Sequence, residues 1–310
     1  AASRPVPPAG PVAFIAPESP GDIAEVCRTA LVADVARVRP GETFHLAFTA
    51  SLAFQWHTYW INPGDTGVPA RLSVRAPEGF TVGEPRYPRP EVITGPEGTT
   101  YGYEHEAWIF VPVTAPADLP ADGRRLRFEM DAMYLACREL CLIGSTTLAV
   151  ELAAAADDVE AAAAGPIPAD PAVMEPMRPW LARLPRPLAD MPGATMDLEI
   201  DAEAGRGRID LRIPAAASAA PEARPVILPS PGPGITFGAA DIRREADAWR
   251  IGIPLQVSVG NALGRPLLVR GLVGLGDDPA DPAVAFERRV PLPQPAAAST
   301  GSSAPAAGAD

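Results

Sequence analysis

The sequence contains no lysine, so its 26 basic residues are all arginine, set against 38 Asp and Glu for a formal net charge of −12. Schiff-base chemistry and the lysine of a phosphate-binding P-loop are thereby excluded. There is no basic block either, which argues against nucleic acid and anionic membrane surfaces, because both need clustered positive charge. No apolar run approaches the roughly 18 residues of a membrane-spanning helix. The chain lacks the cationic start and apolar stretch of a signal peptide, and its opening Ala1-Ala2-Ser3 fits a protein whose export signal has been removed. GxSxG and HExxH are absent, so hydrolase and metalloprotease readings have no starting residue. Three cysteines, Cys27, Cys137 and Cys141, are too few for a disulfide scaffold and form no CxxC zinc pair.

Proline and glycine, in contrast, are plentiful: 39 and 27 of 310 residues. They break the chain into short elements and exclude a long helical bundle. Residues 1–21 and 294–310 are rich in Pro, Ala, Ser and Gly with little to bury, and read as flexible tails. Between them, short alternating runs such as LVADVARV, ETFHLAFTASLAF, AWIFVPV and RLRFEMDAMYLA are separated by turn signals such as Arg39-Pro40-Gly41 and Asn62-Pro63-Gly64-Asp65. This pattern predicts an antiparallel β-sandwich over 22–153. A linker with short helices follows over 154–189, where eight prolines between Pro166 and Pro192 forbid a long helix. Strand signals return over 190–293, predicting a second sandwich. The expected fold is thus all-β, two immunoglobulin-like sandwiches joined by a Pro/Ala-rich linker. The second half has no Cys or His, so reactive chemistry must lie in the first.

Cys137 and Cys141 lie four residues apart between two extended flanks. On one strand their α-carbons would be about 13 Å apart, beyond disulfide reach. If Arg138-Glu139-Leu140 form a hairpin loop, the two face each other at about 4.5 Å; a helical turn would also put them on one face. A hairpin staple, two buried thiols and a reactive pair all remain compatible with this spacing. Cys27, at the entry to the first strand, reads as a buried free thiol. A soft Cu(I) site is a further candidate, with Met130, Met133 or His105 joining the two thiolates; the two methionines, three apart, would face opposite sides of a strand.

One more stretch stands out: Trp56-His57-Thr58-Tyr59-Trp60-Ile61-Asn62-Pro63-Gly64-Asp65. As a strand it would turn Trp56, Thr58 and Trp60 one way and His57 and Tyr59 the other. This motif, the later Tyr101-Gly102-Tyr103 and the Cys137-x3-Cys141 pair together resemble the periplasmic N-terminal domain of the DsbD family of thiol:disulfide interchange proteins, nearest its suppressor-of-copper-sensitivity branch. The resemblance implies an immunoglobulin-like domain in the periplasm, a component of protein-disulfide reduction without a cofactor. It would pass electrons from a membrane-embedded thiol reductase to thioredoxin-like partners. Carried over, Cys137 and Cys141 match the redox pair, Cys141 the exchanging cysteine, and Thr99 to Tyr103 a cap loop over it. Thr100 stands where the cap aromatic is expected, with Tyr101 or Tyr103 as replacements and Gly102 as the pivot; Trp56, His57, Tyr59 and Trp60 would line the site. The transmembrane and thioredoxin-like segments of the family are missing, which fits an excised ectodomain or a stand-alone relative reduced in trans. The alternatives are a Cu(I)-binding, copper-tolerance protein or a binding module with a structural disulfide.

Overall fold

The computed structural model describes residues 14–96, 98–162, 165–201, 203–217, 223–258 and 266–291. Its first half is a sandwich of eleven strands: β1 (Cys27–Ala33), β2 (Val35–Val38), β3 (Thr43–Leu52), β4 (His57–Gly64), β5 (Arg71–Arg75), β6 (Thr81–Val82), β7 (Glu91–Gly95), β8 (Gly98–Glu104), β9 (Glu106–Thr114), β10 (Arg125–Cys137) and β11 (Cys141–Ala154). One sheet has the order β1-β3-β9-β6. The other runs β2-β11-β10-β4-β8-β7, with β5 also on β10 and the two-residue strand Ile167–Pro168 on the outer flank of β2. Pairing is antiparallel except between β2 and β11.

Alternation explains the two layers. In β10 the even-numbered Phe128, Met130, Ala132, Tyr134 and Ala136 are buried, while the odd-numbered row faces outward. Phe128 meets Phe44 and Phe80 edge-on, with ring centroids 5.6 and 5.3 Å away. Each such ring contributes about 1.5–3 kcal/mol by leaving water.

One segment departs from expectation, and the linker, with the short helices expected of it, packs on the first sandwich. Phe14 and its neighbours, assigned to the N-terminal tail, pack on the sandwich: the Phe54 N–H donates to the Phe14 carbonyl at 2.9 Å, and the Arg28 guanidinium lies 4.5 Å from the Phe14 ring centre. Residues 1–13 and 292–310, which include the rest of the expected N-terminal tail and all of the expected C-terminal tail 294–310, lie outside the described residues. The region expected to be a linker holds α1 (Asp158–Ala162) and the twelve-residue α2 (Pro171–Ala182). Asp170 caps α2 through the Ala172 N–H, and Pro171 at its first turn loses no bond. Met177 and Trp180 then reach into the first core, which holds α2 in place despite Pro176 and Pro179 in its interior.

The second sandwich packs two further sheets. Strands Arg186–Pro187, Ala283–Val290, Leu267–Gly274 and Val226–Pro229 lie in that order in one; Thr195–Asp201, Arg206–Pro214, Ala248–Val257 and Ile235–Phe237 form the other, with Asp241–Arg244 also on Ala248–Val257. Ile209, Ile213, Ile253, Val269, Val273 and Phe286 fill its core. No helix among the described residues is long and apolar enough to cross a membrane.

Candidate functional site

Strands β10 and β11 pair without interruption from Arg125 opposite Ala153 to Cys137 opposite Cys141. Arg138-Glu139-Leu140 close the hairpin, the Arg138 N–H donating to the Leu140 carbonyl at 3.1 Å. Of the geometries the spacing allowed, the hairpin is the one formed: the facing α-carbons are 4.2 Å apart and the sulfurs are bonded. The two cysteines are not equivalent. Cys137 is 3% exposed, because β4 covers its other flank and places His57 directly opposite it. Cys141 is exposed. Among the described residues β11 pairs on its outer flank only at Ala153 and Ala154, at the far end of the strand.

The aromatic strand supplies the floor of the site. Trp56 and Trp60 enter the hydrophobic core, and the buried Thr58 donates its hydroxyl to the Leu135 carbonyl at 2.8 Å. His57 and Tyr59 lie on the disulfide's face. The Tyr59 hydroxyl is 3.8 Å from Cys141 Sγ, and the His57 and Tyr59 rings meet edge-on at 5.2 Å. Gly67 explains why Tyr59 is only 2% exposed: a Cβ there would lie 2.2 Å from the phenol ring, so the bare backbone of the Asp65–Gly67 turn packs against it. Gly67 has φ +86°, open to glycine without strain. Across the hairpin the Arg138 guanidinium lies 5.7 Å from the Trp56 ring centre, a cation–π contact.

The cap expected over the pair is not formed by the residues assigned to it. Thr99 to Tyr103 belong to β8, a strand paired on both sides rather than a loop. Tyr103 pairs with Thr58 and Gly102 with Tyr59, so alternation sends Tyr101 and Tyr103 to the face opposite the disulfide. Tyr103 is wholly buried; its hydroxyl donates to the Pro88 carbonyl at 2.7 Å, and its ring packs on Trp180. Tyr101 meets Trp60 edge-on. Gly102 is no pivot either, since a Cβ there would fall 2.1 Å from the Thr58 carbonyl oxygen. Thr100 is buried opposite Gly64. The side chain in contact with the Cys141 sulfur is instead Tyr59.

The electrostatics around the pair are set by burial. Burial pulls the His57 imidazole below its usual 6.5, partly opposed by the negative charge of Glu104, its neighbour on β8. The Cys27 thiol is buried, free and pushed up to about 12 by desolvation, with Tyr134 its hydrogen-bond partner. The donor set considered for Cu(I) is not assembled: Met130 points into the core, Met133 is 41% exposed on the other face, and His105 stacks on Phe54 at a turn with φ +63°.

Sequence reasoning missed the connection from this site to the second sandwich. At the far end of β4 the Asn62 side-chain amide donates to the Pro229 carbonyl at 2.6 Å. Arg89, 2% exposed, donates to the Gly276 and Asp281 carbonyls at 2.6 and 3.2 Å. Gly274 leaves the space its guanidinium occupies, for a Cβ there would sit 2.5 Å from Cζ. Burial lowers the Arg89 and Arg183 pKa values, but the surrounding carboxylates, Asp281 for Arg89 and Glu91 for Arg183, favour the charged forms. Nothing in the local sequence marks Arg89 among the other arginines.

Residues 28–153 match the family model described as "Thiol:disulfide interchange protein DsbD, N-terminal". No curated protein matches the chain. Among solved structures, the N-terminal periplasmic domain of ScsB from Proteus mirabilis superposes with a TM-score of 0.52 at 15% identity, covering 86% of this chain and 93% of that one. The reduced N-terminal domain of Neisseria meningitidis DsbD matches at 16% identity over 41% of this chain and 85% of that one, with a TM-score of 0.23. With its facing cysteine pair on an immunoglobulin-like sandwich, the segment 28–153 is a DsbD-family N-terminal domain, carried in a chain whose overall fold is similar to that of the ScsB periplasmic domain.

Proposed function

We propose that the chain relays electrons in the periplasm through Cys137 and Cys141, accepting them from a membrane-embedded thiol reductase and passing them to thioredoxin-like proteins. The observation that carries this reading is the asymmetry of the disulfide: one cysteine exposed at a hairpin tip, the other covered. Exchange proceeds by in-line attack of a thiolate on one sulfur. An incoming thiolate reaches Cys141 Sγ; the Cys137–Cys141 bond breaks, its electron pair leaves on Cys137, and a mixed disulfide joins Cys141 to the partner. A second thiol of the partner then attacks that bond, leaving both cysteines reduced and the partner oxidised. Run backwards, the same steps reduce a downstream protein. Apolar side chains flank Cys141, as a protein partner would require: Leu140 is 45% and Ile143 71% exposed, and Met133 lies on the same outward face.

The test is trapping. Cys137→Ser should accumulate a mixed disulfide with a thioredoxin-like protein through Cys141, whereas Cys141→Ser should trap nothing, and millimolar dithiothreitol should reduce the native bond with the fold intact. A disulfide that yields only on unfolding, with no adduct from Cys137→Ser, would make it a structural staple.

A further inference from the structure

Cys141 is exposed to water, whereas Cys137 is covered. Desolvation favours the neutral thiol of a covered cysteine, and only the thiolate is a nucleophile. When the reduced domain has attacked a partner through Cys141, Cys137 must lose a proton to close the intramolecular disulfide and expel the partner. A base is therefore needed beside Cys137, and solvent is excluded there.

His57 is in that position. It is the β4 residue directly opposite Cys137, so the two side chains leave neighbouring strands on one face with Cβ atoms about 4.5–5.5 Å apart. The groups that face His57 are few: Cys137 from β10, Glu104 from β8, Tyr59 along its own strand, and through Tyr59 the Cys141 sulfur. Its ring is half-buried, and at neutral pH desolvation keeps it in the unprotonated form that can accept a proton. Glu104, opposite it on the far strand, stabilises the imidazolium once formed.

We infer that His57 is the general base for Cys137, a role that rests on the exchange reading above. In the mixed-disulfide state His57 takes the Cys137 proton, and the resulting thiolate attacks Cys141 Sγ. The Cys137–Cys141 bond forms, the bond from Cys141 to the partner breaks, and the partner leaves as a thiolate that the imidazolium or water protonates. Two electrons pass to the partner. In the opposite direction the imidazolium protonates Cys137 as it leaves.

An aromatic disulfide reagent that releases a coloured thiol separates these steps in the reduced full-length protein. A fast bimolecular phase reports attack by Cys141, and a following first-order phase reports closure by Cys137. His57→Gln should leave the first phase within about twofold and slow the second by about 10²-fold or more, the usual range for loss of a general base. Added imidazole should restore part of the second phase in His57→Ala. In the unmutated protein the second phase should rise with pH along an ionisation below the usual 6.5 of histidine, which supplies the test even if the variants fold poorly. A second phase that is unchanged in His57→Gln, or that in the unmutated protein follows only an alkaline thiol ionisation, overturns the assignment while the exchange reading stands. Absence of the first phase in Cys137→Ser, with the fold intact, would remove both.

Discussion

Arg89→Ala tests whether the two sandwiches behave as one cooperative unit. The guanidinium is buried in the junction and makes two charge-assisted bonds, to the Gly276 and Asp281 carbonyls. Bonds to a charged donor are worth about 1.5–3 kcal/mol each, and truncation strands both carbonyls in a site closed to water. Water entering a loosened junction recovers part of that loss. The balance is a destabilisation of about 3–5 kcal/mol. With a urea slope of about 2–3 kcal/mol per molar, the midpoint should fall by roughly 1–2.5 M. Tryptophan fluorescence follows both halves, because Trp249 lies in the second sandwich and the other four in the first sandwich and α2. The variant should also separate into two transitions and become sensitive to proteolysis in the 275–282 segment. Gly274→Ala, which pushes on the same guanidinium from below, should act in the same direction with a smaller shift. An Arg89→Ala protein that melts in one transition at the unmutated midpoint would refute the view that this contact joins the two halves.

Gly102→Ala should cost at least the upper end of the roughly 1–3 kcal/mol of overpacking, since its Cβ would meet the Thr58 carbonyl and force β4 from β8; urea melts followed by circular dichroism check it. Tyr59→Phe keeps the ring but removes the hydroxyl beside Cys141 Sγ, and loss of about 1 kcal/mol of thiolate stabilisation should slow attack by Cys141 about fivefold at neutral pH, measured with a small disulfide. Cys27 gives a pH dependence of definite sign. Its folded pKa of about 12 lies above the ordinary 9.0, so above 9.0 the unfolded chain releases a proton the native state keeps, and stability falls as pH rises towards 12. At about pH 10 the loss from this thiol alone should be about 1.4 kcal/mol relative to Cys27→Ala, in which the titrating groups other than its partner Tyr134 cancel; an identical pH profile for the two proteins would contradict the burial of this thiol.

Much of the architecture was legible because strand burial has a period of two. The alternating runs announced β-sandwiches, and the four-residue cysteine spacing admitted a hairpin that would make the pair face. The same alternation divided Trp56, Thr58 and Trp60 from His57 and Tyr59, as the residues lie in β4 and, for Trp56, immediately before it. Asn62-Pro63-Gly64-Asp65 looked like a turn, but β4 runs on through Gly64 and the chain bends only from Asp65. The segment anchors β8, through the Asp65 carboxylate accepting from the Thr99 N–H, and reaches the second sandwich through Asn62.

What the sequence alone could not settle was decided by register and by distant packing. Whether Tyr101 and Tyr103 cover the disulfide depends on which residue of β8 stands opposite Tyr59, and a shift of one position would exchange the two faces. The proline-rich stretch around Trp180 reads locally as a linker with short helices, but that α2 docks on the first sandwich is decided by Met177 and Trp180 finding a core to enter. Arg89 is one arginine among many until Gly274, far along the chain, leaves a space of its shape and two carbonyls to receive it. Periodicity is a property of a segment and can be read from it; partners from other strands and from the other sandwich exist only once the chain has folded.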